Sequence, residues 1–482
     1  MKTTKKLLAM ALAAAMVVTA FAGCSGNNDT SSADSTSSAS SEASTSSDAS
    51  TSDESSATED DGTIHPMRIV QPGTLCPDYE TGMAAVNEKL KEDGVNIEVS
   101  VTRIPWDAYA EKLNLMLTTG EEFELLHVMQ DVKNLSAIAG MGAISSIHDS
   151  IQNYPDLYNK FSETEWLGTL YKGEEYAVPC YWRSFDNTMS YMDYRSDIAE
   201  KVGYDEFPDT TEGIIDLMKK SQDEILNETG MKAYSWFHQV QDTAHWLHRS
   251  YDTYPFYVEN SLGICLIRQD GTVDSFYESE EFKKDANTYY EMYQAGLIDP
   301  DILNRDHQKQ YDDANYGAML PSQTFDPYTG VTMQKNGVEG AEVKWVEAFG
   351  DDVPDMIYTY VQNLNAISST SEDPESGLKF LNWLYASEEN HDLFHYGIEG
   401  THYTKTGDHR IEQVKGDDGN PLYSMDTWMT GYLPYMAYAT DTPDEQVDYM
   451  TYKSDNYVIS PAAGFIFDSS NVTSELTNLQ TE

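Results

Sequence analysis

The stretch DPESGLKFLNWLYASEENHDLFHYGIEGTHYT, Asp373 to Thr404, opens with a helix start. Asp373 is placed to accept an N-cap hydrogen bond, Pro374 fits the first helical position, and Glu375 favours the positive end of the helix dipole. Leu378, Leu381 and Tyr385 recur at helical spacing, with Phe380 and Leu384 beside them. This predicts one buried face and puts Trp383 in the core. A second short helix is predicted through Asn390 to His395, stopping at Gly397. The run from Tyr396 to Gly400 then makes a tight loop between two glycines, which sets Glu399 and Tyr403 on a constrained backbone.

Upstream, Met67 to Val70 reads as a strand ended by Pro72-Gly73, and Tyr79, Met83, Val86 and Leu90 mark one face of a helix. Asn96 to Thr102 alternates as a second strand, Tyr109, Leu113 and Met116 mark a second helix, and Glu124 to Met129 is a third strand. This β-α-β-α-β order predicts a parallel sheet covered by helices. Ligands of such sheets bind beyond the carboxyl ends of the strands. Here those ends carry Gly73 to Asp78, Arg103 to Asp107, and Gln130-Asp131. Further on, Val361 to Ser368 reads as a strand, and Thr404 to Tyr423 as a β-hairpin region.

Charge narrows the function classes. Net charge is -51, from 81 acidic against 30 basic residues in 482. That balance argues against a nucleic-acid-binding surface and a basic membrane-binding face, and suits solubility outside a cell. Lys2, Lys5 and Lys6 precede an Ala-rich apolar run from Leu7 to Phe21, too short for a membrane span. It ends in Phe21-Ala22-Gly23-Cys24, similar to a bacterial lipobox, which predicts a signal peptide over 1–24 and lipidation of Cys24. Residues 25–63 are almost all Ser, Thr, Ala, Asp and Glu and read as a disordered tether. Cys76, Cys180 and Cys265 remain; the odd count leaves at least one free thiol, and the wide spacing suits no zinc site.

The run from Phe380 to Tyr403 closely resembles the family-1 extracellular solute-binding proteins of bacterial ABC importers, nearest the lipoprotein subgroup that carries oligosaccharides. Lys172 to Pro179, Tyr194 to Ile198, Ala295 to Asp301, Tyr316 to Met319 and Gly464 to Asp468 are also similar to that family. The resemblance implies an α/β, two-lobed periplasmic-binding-protein-like fold with a hinge and an interlobe cleft. Residues 64–180 and 330–388 would form lobe 1, and 181–329 and 389–482 lobe 2. It further implies a monomeric, non-enzymatic protein, lipid-anchored on the extracytoplasmic face of the cell membrane, that passes a captured oligosaccharide to ABC permease subunits. No cofactor is expected.

A binding protein for sugars needs aromatic rings to stack on the flat C–H face and polar groups to meet the hydroxyl rim. Trp106, Trp182, Trp236 and Trp428 stand outside clean apolar runs, and Trp106 and Trp182 fall at cleft-facing ends. Any single one of these aromatics is equally readable as core or ordinary surface. Asp131, Arg183, Glu399 and Tyr403 are the other candidate contacts, with Glu399 also readable as a loop-stabilising acceptor. His391 and His395, four apart on a helix, have metal-ligand spacing but no third ligand nearby, so solvent exposure is expected and no metal is assigned. The motifs G-x-S-x-G, P-loop and H-E-x-x-H are absent. An extracytoplasmic glycoside hydrolase using paired carboxylates remains an alternative, as does a binding protein for a non-sugar solute such as a peptide.

Overall fold

The computed structural model describes residues 62–130, 132–182, 191–229, 234–236, 256–259, 265–298, 319–322, 333–334, 337–347, 349, 353–357, 360–417, 419–442, 444–451, 456–463, 475 and 478. The predicted signal peptide and nearly all of the tether therefore lie outside the described residues.

The alternating runs form the expected strands and helices. In chain order they are β1 (His65–Pro72), α1 (Tyr79–Glu92), β2 (Ile97–Ile104), α2 (Trp106–Thr119) and β3 (Leu125–Met129). β1 pairs in parallel with both β2 and β3. The first sheet is completed by β4 (Val178–Pro179) and by β9 (Asn363–Ile367), in the order β2-β1-β3-β9-β4. β9 runs antiparallel to β3, so the sheet is mixed.

Between β4 and β9 the chain builds a second sheet of β5 (Tyr191–Arg195), β6 (Tyr234–Trp236), β7 (Met319–Ser322) and β8 (Val343–Glu347). Its order is β8-β5-β7-β6. Helices α3 (Thr211–Ser221) and α4 (Glu280–Gln294) belong to this part. It has its own apolar cluster, in which Tyr194, Ile198, Ile214, Leu217, Met218 and Met292 are buried. Side-chain hydroxyls cap both helices, Thr210 accepting from the Gly213 N–H and Ser279 from that of Phe282.

The first sheet separates two apolar layers. On one face Met67, Ile69, Val99, Val101 and Leu125 meet α1. On the other Val70, Ile104, Leu126 and Val128 meet α2. Alternation along each strand produces this division, because successive side chains leave opposite faces.

The Asp373–Thr404 stretch closes the first layer. α5 (Pro374–Ala386) starts as expected, with the Asp373 carboxylate accepting from the Glu375 N–H, and it buries Leu378, Phe380, Leu381, Trp383 and Tyr385. α6 (Glu388–Tyr396) follows, capped by Ser387, and ends at Gly397. The hairpin region then forms β10 (Tyr403–Gly407) and β11 (Arg410–Gln413).

Two expectations need correction. The boundary at residue 388 has no counterpart in the packing: Phe394, Tyr423 and Met425 share the cluster of Met67 and Val86, not that of the second sheet. And the surface expected for His391 and His395 is absent, since both side chains are fully buried. Helical periodicity identified α6, but both faces of this helix are covered. Tyr432 N–H donates to His391 Nε2 at 3.2 Å. His395 Nδ1 lies 2.8 Å from the Met425 carbonyl and Nε2 3.3 Å from that of Thr430.

Tyr423 is the keystone side chain of this cover. Its ring lies against Gly82 of α1 and Gly397 after α6, and a Cβ at either glycine would overlap it. Gly397 also has φ +84°, which other residues adopt only with strain. We expect Gly397→Ala to lower the unfolding free energy by about 2 kcal/mol or more, as overpacking plus backbone strain. Denaturant unfolding against wild type measures it; an unchanged midpoint would contradict this packing.

Burial lowers the pKa of both His391 and His395 to about 3. Between about pH 6.5, where an unfolded histidine titrates, and pH 3, the unfolded chain then binds more protons than the folded one. Stability contributed by the neutral imidazoles is complete above that range and falls as pH drops through it, with a limiting slope of about 1.4 kcal/mol per pH unit per histidine. Urea unfolding from pH 7 to 4 should show a shallower acid slope in His391→Gln than in wild type; equal slopes would rule out a buried neutral His391.

Candidate functional site

At the carboxyl ends of β1, β2 and β3 the apolar layer facing α1 gives way to polar side chains. Gln71 of β1 lies opposite Arg103 of β2. His127 of β3 lies opposite Asn365 of β9. Continuing the register of Ile69 with Leu125 and Val70 with Leu126 brings Gln71 beside His127. Arg103, Gln71, His127 and Asn365 therefore form one row across four neighbouring strands, on a single face. All four side chains are buried.

The row is covered by the segment from Met425 to Tyr432, which includes the short helix α7 (Thr427–Thr430). Asn365 Nδ2 donates to the Met429 carbonyl at 3.0 Å. The Cys180 thiol, buried just beyond β4, lies 3.3 Å from the Trp428 carbonyl. Arg103 Nη1 donates to the Pro72 carbonyl at 2.8 Å and to Asp426 Oδ2 at 3.0 Å. Burial holds His127 neutral, with a pKa lowered to about 3.

This cover brings Trp428 to Trp106, the first residue of α2. Their rings are stacked, with centroids 6.0 Å apart and planes at 24°. The His127 ring meets Trp428 edge-on at 5.1 Å, and Tyr109 lies 6.0 Å from Trp106. Trp106 is 56% exposed although its ring stacks on Trp428. The pair thus offers a partly open indole platform at the strand ends, backed by a neutral imidazole. Its geometry suits stacking on a flat apolar face, and the exposed Asp107 next to Trp106 in the chain offers an acceptor near the edge.

Of the residues expected to bind ligand, Trp106 and Trp428 are brought together. Trp182 is half-buried two residues beyond Cys180, next to the bridge that joins Tyr181 to Tyr432. Glu399 is exposed in its loop and bridges to Tyr403, whose side chain is buried with Tyr396 and Ile411. No described contact joins these two to the indole platform. Asp131 and Arg183 lie outside the described residues, and of Trp236 only the backbone, in β6, is described. Sequence reasoning placed Arg103 at a ligand-facing strand end without singling it out, and missed Gln71, His127, Asn365 and Asp426. For the residues on strands the signal was present, polar residues on otherwise apolar faces of adjacent strands; Asp426, in the cover, carried none.

Two α/β parts, each with its own sheet, and an aromatic site at the strand ends define a two-lobed solute-binding fold. Residues 77–391 match the family of bacterial extracellular solute-binding proteins, and the chain belongs to that family. It is 23% identical over 415 residues to a carbohydrate ABC transporter substrate-binding protein of Streptococcus pneumoniae, across 83% of this chain and 78% of that one. The fold is similar to the crystal structure of an N-glycan transport solute binding protein from the same species, with a TM-score of 0.67 and 19% identity over 86% of this chain and 88% of that one. It is also similar to a solute binding protein associated with an HMO-binding ABC transporter of Bifidobacterium longum infantis, with a TM-score of 0.59 and 15% identity over 81% of this chain and 83% of that one.

Burial raises the pKa of both thiols, but Cys180 is buried throughout whereas Cys76 is only partly buried. In the folded protein an alkylating reagent should modify Cys76 well before Cys180, with the difference erased in denaturant. Peptide mass spectrometry over time reads this; equal native rates would show that the cover over Cys180 opens freely.

Proposed function

We propose that the protein captures a carbohydrate, an oligosaccharide, between its lobes and delivers it to an ABC permease, without catalysis. The observation that carries this reading is the exposed Trp106 stacked on Trp428 at the strand ends. A sugar ring can lay its C–H face on an indole while its hydroxyls meet edge carboxylates and amides. The names of similar proteins, one for carbohydrate and one for N-glycan transport, support the same ligand class. Charge supports a neutral glycan over an acidic one. Arg103 is buried and paired with Asp426, and Asp107 beside Trp106 would repel an anion.

In this reading Trp106 and Trp428 form one wall of the cleft. Trp182, Arg183, Asp131 and Trp236 add further contacts and Glu399 acts further out, while the buried Tyr403 supports the Glu399 loop. Closure of the lobes on the glycan would create the form that the permease recognises. Cys24 carries the lipid anchor, and residues 25–63 tether a monomeric binding domain outside the membrane.

The test is binding of a panel of neutral and acidic oligosaccharides, including Man5GlcNAc, which appears in the complex of the similar N-glycan transport protein. A true ligand raises the unfolding free energy by about 2.7 kcal/mol at a hundredfold excess over its dissociation constant, and the sugar is recovered intact. Trp428→Ala should weaken its binding by about 2 kcal/mol, roughly thirtyfold. Cleaved sugar would favour the hydrolase. A panel without any binder, with peptides binding instead, would replace the ligand class.

A further inference from the structure

Arg103 is a cation in an unusual position. It lies near the end of β2, its side chain is 3% exposed, and its guanidinium is turned to the Pro72 carbonyl and the covering segment rather than into solvent. Taking a guanidinium out of water is costly unless directed acceptors replace the lost hydration. Here most of the groups around it belong to the segment that carries Trp428. Besides its bonds to the Pro72 carbonyl and Asp426, Nη1 lies 3.2 Å from Met429 Sδ and Nη2 3.4 Å from Met425 Sδ. Three residues spanning Trp428 on both sides therefore converge on one guanidinium. Asp426 is 50% exposed, so its carboxylate is not held there by burial; the arginine orients it.

A side chain in that position does not touch a ligand on the outer face of the indoles. Its effect passes through the backbone of residues 425–429. That segment has little regular hydrogen bonding of its own, since α7 is a single turn. Its sideways position over the sheet depends on the groups beneath it, and a shift of about 1 Å is enough to spoil a stacked pair.

We propose that Arg103 is the positioning residue of the platform: through Asp426 it fixes Trp428 in stacking register with Trp106, and so sets glycan affinity without contacting the glycan. The ligand half of this statement rests on the proposed function. The stacking half does not, which allows the two to be tested apart. The planar fork of arginine matters, because it reaches Pro72 on the sheet and Asp426 on the cover from one nitrogen while its second nitrogen faces Met425.

The experiment uses the full chain with Asp426→Asn, Asp426→Glu and Trp428→Ala. The stacked indoles should give an exciton couplet in the ultraviolet circular dichroism of the ligand-free protein, absent in Trp428→Ala. We expect Asp426→Asn to lose at least half of the couplet and to bind Man5GlcNAc about tenfold more weakly, a loss of about 1.4 kcal/mol. Asp426→Glu, which keeps the carboxylate, should restore most of both. Asp426→Asn removes the charged partner of a buried guanidinium, so its unfolding midpoint should fall, and couplet and affinity are read under conditions where the variant is fully folded. A couplet unchanged in Asp426→Asn would overturn the proposal, as would a lost couplet with unchanged affinity in a protein whose Trp428→Ala variant binds weakly. If Trp428→Ala binds the glycan as wild type does, the platform fails as a glycan site, and with it the affinity half of the proposal.

Discussion

The segment from Met425 to Tyr432 satisfies its backbone through other elements' side chains, and the site depends on that constraint. A covering segment of this length in regular structure would bond to itself. This one does so in a single turn, and its remaining groups need partners, because buried backbone polar groups are rarely left unpaired. The His395 ring lies between the Met425 and Thr430 carbonyls, its one N–H serving the nearer, that of Met425 at 2.8 Å; His391 takes the Tyr432 N–H, and Asn365 donates to the Met429 carbonyl. Arg103 adds the Asp426 carboxylate from below. The segment is thus clamped between α6 on one side and the ends of β2 and β9 on the other. Trp428 follows from where the clamps hold its neighbours.

This arrangement explains the change of character along the strands. Near their start, the strands facing α1 present Met67, Ile69, Val99 and Leu125, an apolar layer that α5 and α6 cover. Such a layer is stable but weakly directional, since apolar contacts tolerate sliding. At the far end the same face presents Arg103, Gln71, His127 and Asn365. Arg103 and Asn365 hydrogen-bond the covering segment, and because such bonds require particular distances and angles they hold it in one register. The histidines add to this by staying neutral: an imidazole that is both buried and uncharged can accept from an N–H, as His391 does, without the larger cost of a buried cation.

Much of the architecture was legible because it rests on periodicity. Alternation in Ile97 to Ile104 and the 3.6-residue recurrence of Tyr79, Met83, Val86 and Leu90 each identify an element and its buried face. The start of α5 was equally legible, since Asp373, Pro374 and Glu375 act locally. The burial of α6 was not. His391 and His395 look amphipathic and solvated within their own helix, and only the distant residues 425–432 turn their polar atoms inward. For the same reason the boundary near residue 388 was misplaced: Tyr423 reaches back to Gly82 across 341 positions of sequence, a contact that no local pattern announces. The site divides similarly. Trp106 stood out at a strand end, and Trp428 outside any apolar run, but their stacking depends on a pairing across the sheet.

The polar row also bears on why the platform can be both exposed and ordered. An indole 56% open to water has little burial of its own to restrain it. Trp106 is restrained from behind by Pro105, whose extended backbone starts α2, and by the Tyr109 ring one turn on. Trp428 has no such helix behind it; α7 is too short to supply one. Its order comes from the edge-on His127 ring and from the clamped backbone on either side. A binding surface ordered before its ligand arrives avoids part of the entropy cost of association. The buried cation, the neutral histidines and the amide row are therefore parts of one device. It spends polar burial inside the first lobe to keep an apolar surface still at the outside.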